Sequence, residues 1–197
     1  MMPPGEVIAV VGSDPKAGAS MAAKSIAQGL AKETGEAVLY LNGRGESCVV
    51  APWNESEMGL TEAGLSYLLS LRWSETYGEL RGKFSFTVAD GGTGPAEGAD
   101  RVVLVVNQLA SSIRAAERAA ERLCGTEKKL LCLNRFLPSD PHTPSYVRKL
   151  FPEWDVILLP ESPRGREADW EGMTLPVLGD RPYRRAVREG VKWILNS

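Results

Sequence analysis

The sequence predicts an α/β domain built on a mostly parallel sheet with helices on both faces. Three observations carry this. Short apolar runs rich in valine recur along the chain, at Val7–Val11, Ala37–Leu41, Phe84–Ala89, Val102–Val106, Lys129–Leu133 and Val156–Leu159. Stretches with helical spacing of apolar residues separate several of them. Glycine, proline, serine and asparagine mark the boundaries. Continuous apolar strands that alternate with helices belong to parallel sheets covered on both sides.

Each element follows from local pattern. Val7-Ile8-Ala9-Val10-Val11-Gly12 is apolar throughout and reads as a buried strand. Ser13 to Ser20 is a small-residue loop. Met21 to Thr34 is helical, with Ala23, Ile26, Ala27 and Leu30 on one face and Lys24, Gln28 and Lys32 on the other. Gly35 sits where a left-handed residue ends a helix. Ala37–Leu41 is the second strand, Asn42–Met58 a loop, and Thr61–Leu71 a helix. Phe84–Ala89 is a strand ending at Asp90, and Gly91–Pro95 is a loop. Ser111–Leu123 is a helix with Ser111 or Ser112 available as its cap. Lys129–Leu133 leads into Asn134-Arg135. His142 lies between prolines in a turn-like stretch. Val156–Leu159 is the last strand, and Tyr183–Leu195 the closing helix.

Bulk properties narrow the function. The 197 residues suffice for one domain, expected to span 1–197, and are too few for two ordinary ones. Hydrophobic residues at 43% and charged residues at 24% are the mix of a soluble globular protein, expected in the cytoplasm. A net charge of -2 exerts no global pull on nucleic acid or anionic lipid. Cys48, Cys124 and Cys132 are scattered and form no metal-binding pair, and a single histidine excludes multi-histidine sites. No run approaches a membrane span, and Met1–Glu6 lacks the pattern of a secretion signal.

The strand, loop and helix at Val7–Leu30 form the setting of a phosphate-binding loop. A working loop reads G-x-x-x-x-G-K-[ST]: backbone N–H groups cradle phosphates, the lysine reaches their outer oxygens, and the hydroxyl holds Mg²⁺. Here the stretch is Ser13-Asp14-Pro15-Lys16-Ala17-Gly18-Ala19-Ser20. Gly18 and Ser20 stand at the second glycine and the hydroxyl, whereas Ala19 stands at the lysine. Loss of one such charge donor typically lowers a rate by about 10²–10³. Judged alone, the loop does not match the motif and reads as an ordinary strand-turn-helix of small residues.

The surrounding chain resembles the ParA/MinD family of P-loop ATPases (the deviant Walker A, SIMIBI class). The family writes its loop K-G-G-x-G-K-[ST]. Asp14 occupies its signature lysine position and Pro15 the next glycine, so both family lysines are missing and Lys16 is the one cation left in the loop. Leu39-Tyr40-Leu41-Asn42-Gly43-Arg44 is similar to the strand that ends in aspartates, with Asn42 and Arg44 in their place. Phe86–Asp90 resembles the Walker B strand, Ala99–Ala115 the "A-D-x-V-L-V-V … S-x-R-D-A" stretch, and Leu133-Asn134-Arg135 the strand whose asparagine reads the adenine edge. Leu159–Ala168 resembles "I-P-x-D-x-x-V-x-x-A", which closes over the base. The likeness runs from Val7 to about Leu195 and is least secure between Arg44 and Phe84, which is shorter than in most relatives.

The resemblance implies a Rossmann-like P-loop NTPase fold whose catalytic residues are lost. A nucleotide would meet Lys16, Ala17, Gly18, Ala19, Ser20, Met21, Asp90, Asn134 and Arg135, with Ser20 and Asp90 as the Mg²⁺ positions; no residue is assigned a catalytic role. ATP and Mg²⁺ are the implied cofactors. The degenerate CpaE/TadZ type is the nearest subtype, and it implies a pseudo-ATPase acting in positioning or assembly through dimer and partner surfaces, located peripherally at a membrane or pole through its partners. The alternative is a slow active ATPase in DNA partitioning or localisation of a complex, with Lys16 replacing the lost lysines. The last helix is basic, with Arg181, Arg184, Arg185, Arg188 and Lys192, and is a candidate contact for nucleic acid or a membrane surface. Its apolar residues also suit packing on the sheet with the cations left in water. Arg114, Arg118 and Arg122 alternate with Glu117 and Glu121, as in a solvated, salt-bridged face.

Overall fold

The structure, a computed structural model, describes residues 5–42, 48–50, 60–61, 84–92, 97–123, 125–165, 167–168, 174, 176 and 179–197. Its strands are β1 (Glu6–Gly12), β2 (Val38–Asn42), β3 (Cys48–Val50), β4 (Leu60–Thr61), β5 (Phe86–Asp90), β6 (Arg101–Asn107), β7 (Lys128–Phe136) and β8 (Asp155–Pro160). Its helices are α1 (Ala19–Thr34), α2 (Ala110–Arg122), α3 (His142–Leu150) and α4 (Arg181–Asn196). The strands form one sheet in the order β4-β3-β2-β5-β1-β6-β7-β8. From β2 to β8 all neighbours are parallel, and β3 and β4 extend the β2 edge antiparallel. The predicted fold class is therefore the observed one.

The apolar runs became central strands because both their faces are covered. In β1, Ile8 and Val10 pack into the core beneath α1 and α4. Ala9 and Val11, offset by one residue, pack into the opposite core with α2 and α3. Every residue of β6 is buried, including Arg101 at its start. That guanidinium bonds Glu6 at 2.5 Å and lies over the Trp193 ring at 5.6 Å, which gives a buried cation its partners. Glycines let α1 and α4 approach: a Cβ on Gly29 would lie 2.7 Å from Val191 Cγ2. Gly35 ends α1 at φ 72°, its N–H bonded to the Ala31 carbonyl, as the sequence indicates.

Three expectations change. The stretch around His142 is helical rather than a turn. Pro144 falls in its first turn, where a missing N–H costs nothing, and Val147 and Phe151 supply buried anchors. The segment read as loop from Asn42 to Met58 contains β3, whose pairing with β2 no local pattern announces. Leu60–Thr61 is a strand, so a helix does not begin at Thr61. The rest of the Thr61–Leu71 expectation, together with Arg44, lies outside the described residues.

The order places a topological switch point between β1 and β6. The chain leaves β1 through α1 toward β2 on one side of the sheet, and leaves β6 through α2 toward β7 on the other. Their helices cover opposite faces, which opens a crevice at the strands' carboxyl ends. The loop after β1 lies there. Its Ser13 N–H donates to the Val105 carbonyl of β6 at 2.9 Å.

Candidate functional site at the loop after the first strand

The loop is held from several directions. Gly12 must be a glycine because a Cβ there would sit 2.9 Å from the Asp14 carbonyl oxygen. Its N–H donates to the Gly92 carbonyl at 2.6 Å, which ties this loop to the one after β5. At its far end Gly18 turns the chain into α1 at φ 89°. Gly18 offers no side-chain cap, so the first-turn N–H groups of Ala19, Ser20 and Met21 lack intrahelical partners. Such a terminus favours an anion.

Asp14 is the centre of the loop's hydrogen bonding. Its Oδ1 accepts the Lys16 N–H at 2.8 Å, and its carbonyl accepts the Ala17 N–H at 3.1 Å. Its Oδ2 accepts the Ser112 hydroxyl at 2.5 Å, with the Ser13 hydroxyl 3.2 Å away. Ser112 in turn accepts the Asn107 N–H at 3.0 Å. Partial burial pushes the Asp14 carboxyl up. The bonds from Ser112, the Lys16 N–H and Ser13, with the Arg135 charge, outweigh it and hold the carboxyl below its ordinary range. Ser112 therefore does not cap α2. That helix starts from Leu109 without a side-chain cap.

Two asparagines hold the loop's carbonyls. Asn107 Nδ2 donates to Lys16 O and Asn134 Nδ2 donates to Ala17 O, each at 2.8 Å. Both asparagines are buried. A Cβ on Gly18 would lie 2.3 Å from Asn134 Nδ2, so glycine is required for space as well as for its dihedral. Arg135 follows Asn134 at φ 54°, the one non-glycine with positive φ among the described residues, and is exposed.

The expected site residues thus fall into two groups. Lys16, Ala17, Gly18, Ala19, Ser20 and Met21 are contiguous, and Asn134 meets them directly. Lys16 and Ser20 are exposed, whereas Ala17 and Ala19 are buried. Asp90 ends β5 on the other side of β1, in register with Val10 and with Asn42. It is buried, and its oxygens accept the Tyr40 hydroxyl and the Gly92 N–H, each at 3.2 Å. Asn107 and Ser112 escaped sequence reading. Their signal was the strand-end Asn107, one strand over from Asn134 and in register with it.

The phosphate tail of a nucleotide does not fit this loop as it stands. Ala19 presents a methyl group where a cation is needed, and the Asp14 carboxylate takes N–H and hydroxyl donors that a phosphate would use. Beside the loop an acceptor remains, since Asn107 Oδ1 is buried without a partner while its Nδ2 holds Lys16 O. Among the described residues no group of acidic, histidine or cysteine side chains is arranged to hold a metal, and no helix is long and apolar enough to cross a membrane.

A strand-loop-helix at the switch point of a mostly parallel sheet is a mark of Rossmann-like, doubly wound folds. Solved structures agree. A MinD cell division protein from Aquifex aeolicus superposes with a TM-score of 0.73 at 18% identity, covering 98% of each chain. MinD from Pyrococcus horikoshii, in complex with Mg-ADP, gives 0.70 at 17% identity, covering 98% of this chain and 96% of that one. An ATP complex of McdA from Cyanothece gives 0.70 at 14%, covering 97% and 96%. The chain has the fold of the MinD and ParA ATPases. No protein-family model matches the sequence, and no curated protein matches it.

Proposed function

We propose that this chain is a degenerate ParA/MinD-like protein: a single-domain pseudo-ATPase that binds nucleotide weakly or not at all and works as a positioning or assembly factor through dimer and partner surfaces. One observation carries the reading. The strand-loop-helix frame is intact, yet Ala19 and Asp14 stand at the two lysine positions and Asp14 is bonded into the loop. ATP and Mg²⁺, if bound, would meet Lys16–Met21, Asp90, Asn134 and Arg135, with the metal at Ser20 and Asp90.

The partner reading draws on exposed side chains. Leu109 and Leu137 are 64% and 46% exposed, and the Leu137 N–H donates to Oε1 of Gln108, the chain neighbour of Leu109. Among solved structures of this fold is a MinC:MinD complex from Aquifex aeolicus, at 17% identity. On α4, Arg188 pairs with Glu33 and Arg185 with Glu189, while Arg181, Arg184 and Lys192 face solvent. They are candidates for an anionic surface. These features suit a cytoplasmic protein that reaches a membrane or pole through partners.

The second reading, a slow active ATPase in partitioning, rests on Lys16. Its backbone is pinned at both N–H and C=O while its side chain is exposed. Calorimetric titration with Mg-ATP, with hydrolysis assayed in parallel, decides between them. The pseudo-ATPase reading expects no turnover and weak or no heat. Turnover that disappears in Lys16→Ala and survives in Asn42→Ala would establish the second.

A further inference from the structure

We propose that the Asp14 carboxylate is the resident anion of this loop, holding it closed so that a phosphate group is refused. This rests on reading the segment as a phosphate loop, and adds a cause for its silence beyond the missing lysines. A phosphate loop works by aiming backbone N–H groups and a helix N-terminus at negative charge. Here the negative charge is built in. Asp14 Oδ1 takes the Lys16 N–H, Oδ2 takes the Ser112 hydroxyl, and the Asp14 carbonyl takes the Ala17 N–H.

The closure is reinforced from outside the loop. Asn107 and Asn134 grip the carbonyls of Lys16 and Ala17, which fixes the peptide planes on both sides of Ala17. Ser112 belongs to α2 and also accepts the Asn107 N–H, so the carboxylate is anchored to the sheet rather than free to swing away. An incoming phosphate would find the Lys16 N–H already taken by this carboxylate and would have to sit beside its charge. Partial burial raises that carboxyl, but the bonds from Ser112, the Lys16 N–H and Ser13, with the Arg135 charge, hold it below its ordinary range.

Removing the carboxylate should therefore create phosphate affinity without restoring catalysis. The test titrates the full chain with inorganic pyrophosphate and with Mg-ATP, in wild type, Asp14→Gly and Asp14→Asn. Asp14→Gly deletes both charge and acceptor. Asp14→Asn deletes the charge but keeps an oxygen for the Lys16 N–H. Asp14→Gly is expected to bind pyrophosphate about twofold to fivefold tighter than wild type, the scale of one helix-terminus charge interaction, with Asp14→Asn between them. Equal affinity in a folded Asp14→Gly, or tight pyrophosphate binding by wild type, overturns the closure.

A measurement on wild type guards against misfolding of the variant. The Lys16 amide resonance should shift with acidification as its carboxylate partner protonates, below the usual aspartate range. A Lys16 amide indifferent to pH overturns the contact. The outcomes separate the two proposals. Wild-type ATP turnover sinks both, because turnover needs the phosphates seated at this loop. Silence in both wild type and Asp14→Gly sinks closure and leaves the pseudo-ATPase reading standing.

Discussion

Asn107 and Asn134 are register partners at the carboxyl ends of β6 and β7, and their amides donate to consecutive loop carbonyls, Lys16 O and Ala17 O, at 2.8 Å each. A loop of small residues is thereby fixed by the sheet rather than by its own sequence. Replacing Asn134 with Ala leaves the Ala17 carbonyl unpaired and should cost about 1–3 kcal/mol in urea unfolding. The pair holds adjacent peptide groups, so the double variant Asn107→Ala with Asn134→Ala should depart from additivity. Additive losses would show that the two bonds act independently.

Gly18 and Gly35 both have positive φ, at 89° and 72°, but differ in surroundings. A Cβ at Gly35 meets nothing within 4 Å, whereas at Gly18 it would meet Asn134 Nδ2 at 2.3 Å. Gly35→Ala should lose only the backbone term, about 1–2 kcal/mol. Gly18→Ala should lose that and the Asn134 bond as well. Thermal melts of the two variants compare them directly, and equal losses would contradict the steric account.

Gly29 lets α1 lie against α4. Its absent Cβ would approach Val191 Cγ2 to 2.7 Å and Val187 Cγ1 to 3.5 Å. In Gly29→Ala the helix-propensity gain, about 1 kcal/mol, opposes overpacking of about 1–3 kcal/mol. The expected result is a net loss. Adding Val191→Ala to make room should recover part of it, which denaturant midpoints of the single and double variants would show.

Asp140 gathers the loop before α3. The Thr143 hydroxyl and then the Gln108 amide bond it, slight desolvation opposes them, and the Thr143 and His142 N–H groups add to the effect; together they hold the carboxyl down to about 2 from its ordinary 3.8. A carboxyl depressed in the folded state stabilises above its unfolded value and loses that contribution as pH falls toward the folded one. Stability should therefore drop between about pH 4 and pH 2. Asp140→Ala should be less stable at neutral pH and show a shallower drop. Parallel acid titrations by circular dichroism check both.

Much of the sheet was legible because burial on two faces writes continuous apolar runs into the chain. Five of the parallel strands stand out as such runs, and β7 does so from Lys129 to Leu133 but continues to Phe136. Gly35 marked its helix end through its dihedral alone. What escaped notice was α3, where two prolines looked like a turn, and β3, whose three residues have no period to detect.

At the candidate site the sequence by itself determined the inventory: a strand-loop-helix frame, a glycine at position 18, an alanine at 19 and an aspartate at 14. Those are properties of local pattern and residue chemistry. Only the tertiary structure decided what Asp14 does. Its partner Ser112 lies 98 residues away, and the asparagines that grip the loop lie 91 and 117 residues from their carbonyls. Hydrogen bonds over such separations depend on strand order and register, which bring β1, β6 and β7 side by side, and no local period encodes them. The aspartate that in sequence merely replaced a lysine becomes, once the sheet is formed, the group that bonds the loop's Lys16 N–H to Ser112 of α2.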